Sequence, residues 1–262
     1  MKYVLFAANR RRALLLALLL TCLAAAGPAG TLRVSATGPA DTHLRFLPLI
    51  TSAPIAAGLP FNPYERHTGE GTFYDATGAG NCSFPASPEN LMVAAMNEID
   101  YADSIYCGAF IEVSGPKGAV TVRITDRCPE CLKGDIDLSR EAFALIAEPI
   151  AGRVPISWRI VSPAVGGPIR YHFKEGSNQW WTAIQIRNHR NPIFRLEYLD
   201  PASGQFKAIP RLRYNYFVQE SGLDVGPYTL RATDIYGRTL VDSGVPALEN
   251  AGWNGAGQFP SP

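Results

Sequence analysis

Histidine is scarce in this chain of 262 residues, with four in all: His43, His67, His172 and His189. None lies near a nucleophile-elbow pattern, so Ser-His-Asp chemistry has little to build on. His189, in Arg187-Asn188-His189-Arg190, reads as a polar residue at a strand end rather than as a ligand. Basic excess is also missing. Residues 68–161 carry seven Lys/Arg against thirteen Asp/Glu, a net −6, and residues 168–262 carry ten against eight, a net +2. Basic residues this few and scattered cannot neutralise a phosphate backbone, which excludes nucleic acid as a partner. The single C-x-x-C at Cys128 and Cys131 has no second C-x-x-C or H-x-x-H behind it, so a four-ligand metal site lacks half its donors. No metal and no cofactor is expected.

Long apolar runs are absent except at the start. Lys2 and Arg10 to Arg12 precede an apolar stretch from Ala13 to Leu23, and small residues follow at Ala24 to Gly27. The stretch is shorter than the roughly 20 residues a bilayer span requires, and its order of regions is that of a secretory leader, expected over residues 1–27. Cys22 lies inside it, in Leu19-Leu20-Thr21-Cys22, a poor match to a lipid-attachment site. Nothing later could span a membrane as a helix. Four cysteines then remain, Cys82, Cys107, Cys128 and Cys131. An even number in an exported chain favours disulfides, with three pairings open. The C-x-x-C follows a strand and precedes a Gly-containing loop, unlike the helix-opening motif of dithiol oxidoreductases.

Residues 28–67 are rich in Pro, Ala, Thr and Gly without periodicity and read as a linker or loosely ordered arm. From there to Val161, short β-type runs alternate with turns: Gly71–Tyr74, Leu91–Met96, Ala109–Val113, Val120–Thr125 and Ile156–Val161. Gly115-Pro116-Lys117-Gly118 is expected to turn a hairpin. One helix is expected, with Ser139 as N-cap, Glu141 in its first turn, and Ala142, Phe143 and Ile146 as its apolar stripe. The Pro/Gly stretch at 162–168 divides a first domain, 68–162, from a second, 168–250, which is followed by a tail at 251–262. The second half reads as strands only: Ile169–Phe173, Trp181–Arg187, Ile193–Tyr198, Tyr216–Gln219, Tyr228–Asp234 and Thr239–Asp242. Ile184 and Ile186 alternate with Gln185 and Arg187, the half-buried pattern of a sandwich strand.

Two groups of residues invite chemistry. Trp180-Trp181 closes a polar loop, and on a strand neighbouring side chains face opposite ways, so at most one of the pair belongs in a core. Flat exposed indoles suit the axial C–H face of a pyranose, and Tyr214 and Tyr216 beside Arg211 and Arg213 would extend such a platform. From the residues alone, burial of both tryptophans in the sandwich is the competing reading. The second group is carboxylates: Asp126 and Asp137 bracket the Gly134 loop, and Asp137 between Ile136 and Leu138 is placed to have its pKa raised, as a general acid requires. Asp137 could equally serve only to bond backbone donors ahead of the helix. Asp75 is the carboxylate of the first strand region that could pair with it, and two carboxylates across a sugar groove would point to glycoside hydrolysis.

From about Gly69 to Pro260 the chain resembles the bacterial expansins. The resemblance is carried by Gly71-Thr72-Phe73-Tyr74, Gly108-Ala109-Phe110-Ile111-Glu112-Val113, Ile124-Thr125-Asp126 with Ile136-Asp137-Leu138-Ser139, and Lys174-Glu175-Gly176 leading to Trp180-Trp181. Arg187-Asn188-His189 and Tyr214-Asn215-Tyr216-Phe217 add to it. It implies a mainly β protein, a six-stranded double-psi β-barrel followed by an immunoglobulin-like β-sandwich that binds cellulose. It further implies a secreted, monomeric protein that loosens cellulose, xyloglucan or other plant cell-wall polysaccharide without cleaving it. On this pattern Thr72, Asp126 and Asp137 line the barrel's groove, Asp137 standing where family-45 endoglucanases have their general acid. Trp180, Trp181 and Tyr214 form the platform, with Lys174 near it. The chain departs from the pattern at Cys128, where many bacterial relatives carry an aromatic residue, and Cys82 and Cys107 occupy places suggestive of a bridge found in plant relatives. Asp75 is the third departure, because expansins are taken to lack the catalytic base. A weak β-glucanase using Asp137 as acid and Asp75 as base, or a peptidoglycan-directed barrel, are the alternatives.

Overall fold

A computed structural model describes residues 62–262. The expected leader, Cys22, His43 and most of the arm lie outside the described residues. The first half forms β1 (Arg66–Tyr74), β2 (Val93–Asn97), α1 (Glu98–Tyr101), β3 (Phe110–Ser114), β4 (Ala119–Cys128), β5 (Ile136–Ser139), α2 (Arg140–Ile146) and β6 (Val154–Val161). Its six strands close a barrel in the order β1-β5-β2-β4-β3-β6, with β1–β5 and β2–β4 parallel. Alternation builds the core: Val120, Val122 and Ile124 of β4 face inward, as do Ile156, Trp158 and Ile160 of β6. Trp158 is fully buried, and its Nε1 donates to the carbonyl of Gly134 at 2.8 Å. Gly134 has φ +88°, and a Cβ there would collide with the carbonyl of Thr68, so the tight crossing of β1 requires glycine.

The α2 helix follows its sequence signals. Ser139 Oγ accepts from the Ala142 amide at 3.1 Å, and Ala142, Phe143 and Ile146 are buried. Gly115 and Gly118 close the β3–β4 hairpin through an amide-to-carbonyl bond of 2.9 Å.

The second half packs two antiparallel four-stranded sheets. Its strands are β7 (Arg170–Phe173), β8 (Thr182–Arg187), β9 (Ile193–Asp200), β10 (Gln205–Ile209), β11 (Phe217–Gln219), β12 (Tyr228–Asp234), β13 (Thr239–Val245) and β14 (Ala251–Asn254). The sheets run β10-β9-β12-β13 and β11-β8-β7-β14, enclosing Tyr171, Phe173, Ile184, Ile186, Leu196 and Leu230.

Two sequence boundaries need correction. The first strand begins at Arg66, inside the expected arm of 28–67, because β6 offers a partner from Arg66 through Gly71. Residues 251–262 are not a tail: β14 pairs with β7, with Trp253 opposite Tyr171, and Phe259 is 1% exposed in the sandwich core. The strands β5, β10 and β14 were not expected.

Candidate polysaccharide site

Strand register assembles the groove. The parallel β1–β5 ladder sets Thr72 opposite Asp137, and the Thr72 hydroxyl donates to Asp137 Oδ1 at 2.6 Å. Across β2, Ala95 is the partner of Asp137 on one side and of Asp126 on the other. Two strand spacings therefore separate the two aspartates, about 9–10 Å between their Cα atoms. Strict alternation after Val122 and Ile124 would turn Asp126 into the core. The register shift between Ala94 and Ala95, which passes over Thr125, re-aims it outward instead.

Burial is the main cause holding the Asp137 pKa above the ordinary carboxyl value, with Glu130 and Asp126 adding and Thr72 and Arg153 opposing. Asp126 is fixed by the amides of Asn81 and Arg127, which donate to its Oδ1 at 2.6 and 2.8 Å. Beside them Tyr74 is half-buried, its hydroxyl and that of Thr125 both buried and adjacent but without a hydrogen bond of good geometry. Burial, then Asp126 and Asp137, push the Tyr74 phenol up. A cavity of about 390 Å³ adjoins this face, lined by Thr72, Asp137, Glu130, Arg153 and the cystine of Cys128 and Cys131. The C-x-x-C is thus a disulfide in the groove wall, and the other bridge joins Cys82 to Cys107.

Asp75 does not join this cluster. Its side chain is 86% exposed and accepts from Arg140 Nε and Nη2 at 3.2 and 2.9 Å. Arg140 also lies over the Phe73 ring, which packs on Phe143 of α2, so Phe73 and Asp75 share the helix side while Thr72 and Tyr74 take the groove side.

On the sandwich, neither tryptophan enters the inner core. Trp180 is 72% exposed, and Trp181 packs with Tyr214 on an outer cluster of Ala183, Tyr216 and Val218. Asn178 shapes this turn: its Oδ1 accepts from the amides of Trp180 and Trp181 at 2.8 and 3.2 Å. Lys174 stands at the same end, its amide bonded to the Ala183 carbonyl at 2.9 Å. Platform and groove meet at Asn81. Its amide holds Asp126, while its Nδ2 donates to the carbonyl of Arg213, the neighbour of Tyr214, at 2.9 Å. Among the described residues no group of three or more metal-binding side chains converges.

Residues 64–158 match the family described as lytic transglycolase, a barrel family. The expansin YoaJ of Bacillus subtilis is 35% identical over 202 residues, 75% of this chain and 85% of that protein. The chain belongs to the expansin family. Its fold is accordingly the double-psi barrel with a β-sandwich: the apo crystal structure of a Clavibacter michiganensis expansin superposes with a TM-score of 0.69 at 36% identity, covering 75% of this chain and 99% of that one. A mutant of the same expansin, solved in complex with cellohexaose, matches with a TM-score of 0.69 at 35% identity, over the same shares of the two chains. Within this expansin, sequence reasoning missed Tyr74 and Asn81, and Glu130 and Arg153 of the groove lining. Tyr74 was available from the two-residue period starting at Thr72. Asn81 carried no signal beyond its position before Cys82, because its role depends on a carbonyl 132 residues away.

The raised Asp137 pKa carries a stability consequence. Below an unfolded carboxyl pKa of roughly 3.9 both states are protonated and the residue is neutral to folding. As pH rises, the unfolded state ionises first, and stability is lost until the folded pKa is passed. Asp137→Asn should therefore melt with wild type near pH 3 but above it at pH 7. Melting curves across that range check it, and an equal or lower melting temperature at pH 7 would contradict the burial account.

Proposed function

We propose that this expansin binds cellulose along the Trp180, Trp181 and Tyr214 platform and the adjoining groove, and loosens wall polysaccharide without hydrolysing it. The observation that carries the reading is the shared residue Asn81, which ties the aromatic platform to the loop that orients Asp126. A glucan lying on the indoles thus has a polar groove of Thr72, Asp126 and Asp137 beside it. Hydrolysis needs a second carboxylate free to activate water opposite the acid. Asp75 is paired with Arg140 on the helix side, and two amides donating to Asp126 Oδ1 favour its charged form and so weaken it as a base. Binding energy is then spent on separating chains rather than on bond cleavage. The expected leader and the two disulfides fit work outside the cell. Lys174, beside the platform, would contact polymer hydroxyls, and xyloglucan is a second wall partner.

Purified protein should sediment with microcrystalline cellulose and extend a loaded cellulosic sheet while releasing no reducing ends. Soluble oligosaccharide release that disappears in Asp137→Asn would overturn the non-hydrolytic reading. Tighter binding to bacterial sacculi than to cellulose would transfer the site to peptidoglycan.

A further inference from the structure

A second cavity, of about 500 Å³, lies away from the groove, on the outer side of β2, β3 and β4 beneath the Pro/Gly segment that joins the two halves. Among the described residues, Arg123 is the one cation in its lining. Strand register flanks Arg123 with Phe110 of β3 and Val93 of β2, all on the face opposite the barrel core. The guanidinium stacks on the Phe84 ring, 3.9 Å from its centroid. Among the described residues it has no ion pair and donates no hydrogen bond through its guanidinium. Most other arginines of the barrel have an acidic partner: Arg127 with Glu98, Arg140 with Asp75, Arg153 with Glu70 and Arg159 with Glu112. The side chain is half-buried, and burial, with Arg187 adding, lowers its pKa to about 10. An arriving anion would supply the missing counter-charge and offset the repulsion from Arg187.

We propose that this cavity binds a uronate, a pyranose bearing a carboxylate, with Arg123 as its anion anchor. A guanidinium offers a planar two-donor fork that a carboxylate matches. One cation would leave a phosphate dianion under-neutralised. The remainder of the lining suits a sugar ring: Met92, Phe110 and Val165 give apolar surface for its C–H face, and Ser87, Asn90 and Thr121 offer polar atoms to its hydroxyls. Glu89, exposed at the rim and free of any ion pair among the described residues, can accept from hydroxyls but repels a second carboxylate, which favours a single acidic ring. The site is separate from the cellulose platform, so either reading can fail alone.

The test is an NMR titration of the full protein with sodium D-glucuronate, D-glucose, acetate and inorganic phosphate. Saturable shifts with glucuronate are expected, with affinity at least about tenfold above glucose and above acetate. Arg123→Gln should reduce glucuronate affinity about tenfold or more while sedimentation with cellulose is unchanged. Ala164→Trp, which fills the cavity from its exposed rim with Arg123 intact, should do the same and guards against a folding defect in the first variant. No saturable glucuronate binding, equal binding of glucose, stronger binding of phosphate, or affinity that survives Arg123→Gln or Ala164→Trp would each overturn the proposal.

Discussion

Replacing Trp180 and Trp181 together by alanine is expected to weaken binding to cellulose by about 100-fold, the larger of the functional effects foreseen here. One face of an indole presents roughly 100 Å² of apolar area, and at about 25 cal/mol per Å² its burial has an upper limit near 2.5 kcal/mol. Ordering of the ring and incomplete contact reduce this to about 1–2 kcal/mol each. The two positions are not equivalent. Trp180 is 72% exposed, so Trp180→Ala alone should weaken binding by about tenfold with an unchanged melting temperature. Trp181 also packs on Ala183, Tyr216 and Val218, so its loss should cost some stability as well as affinity. Depletion isotherms on microcrystalline cellulose, read beside melting curves, separate the two. Undiminished binding in the double variant would remove the platform from the mechanism.

How far the sequence reaches is clearest on single strands. In β8 the alternation of Ile184 and Ile186 with Gln185 and Arg187 marks a sandwich strand with one face inward, and both isoleucines are in the core. That Gln185 is 0% exposed could not be read, since its burial comes from the barrel: its Nε2 donates to the Cys82 carbonyl at 2.8 Å. Local pattern describes an element but is silent on what docks against its second face. Asp126 illustrates a different limit. The motif Ile124-Thr125-Asp126 makes it a candidate, yet a strict two-residue period would bury it, and only the irregularity at Thr125 turns it outward. Asp75 fails for the converse reason. It lies three residues from Thr72 in sequence, but an odd offset on a strand and the pull of Arg140 put it on the helix side. The strand β14 was hidden because Ala251-Gly252-Trp253-Asn254 has weak β propensity, and pairing with β7 supplies what propensity does not. Arg123 left no trace in composition, because what distinguishes it is the lack of an acidic neighbour in space.

The largest stability effect should come from removing the Cys82–Cys107 bridge. The cysteines are 25 residues apart, and closing a loop of that length restricts the unfolded chain by about 3.5 kcal/mol on the entropic account. Cys128 and Cys131 are three apart, for which the same account gives about 1.6 kcal/mol. Location increases the difference. The Cys82 carbonyl accepts from Gln185 and from Asn215 Nδ2, at 2.8 and 3.2 Å, so the bridge pins the loop on which the sandwich docks. Asn81, next in the chain, holds both Asp126 and the Arg213 carbonyl. Arg211 and Arg213 add polar contacts across the same seam, Arg211 Nη1 to the Ser104 carbonyl at 2.9 Å and Arg213 to Glu98. Cys82→Ala with Cys107→Ala should therefore lower the melting temperature by about 10 °C. It should also split a single calorimetric transition into two as barrel and sandwich uncouple. Cys128→Ala with Cys131→Ala should lower it about half as much and leave one transition, because that bridge sits in the groove wall. A larger loss from the C-x-x-C pair, or one undivided transition without the Cys82 bridge, would refute the assignment of this disulfide as the pin between the two halves.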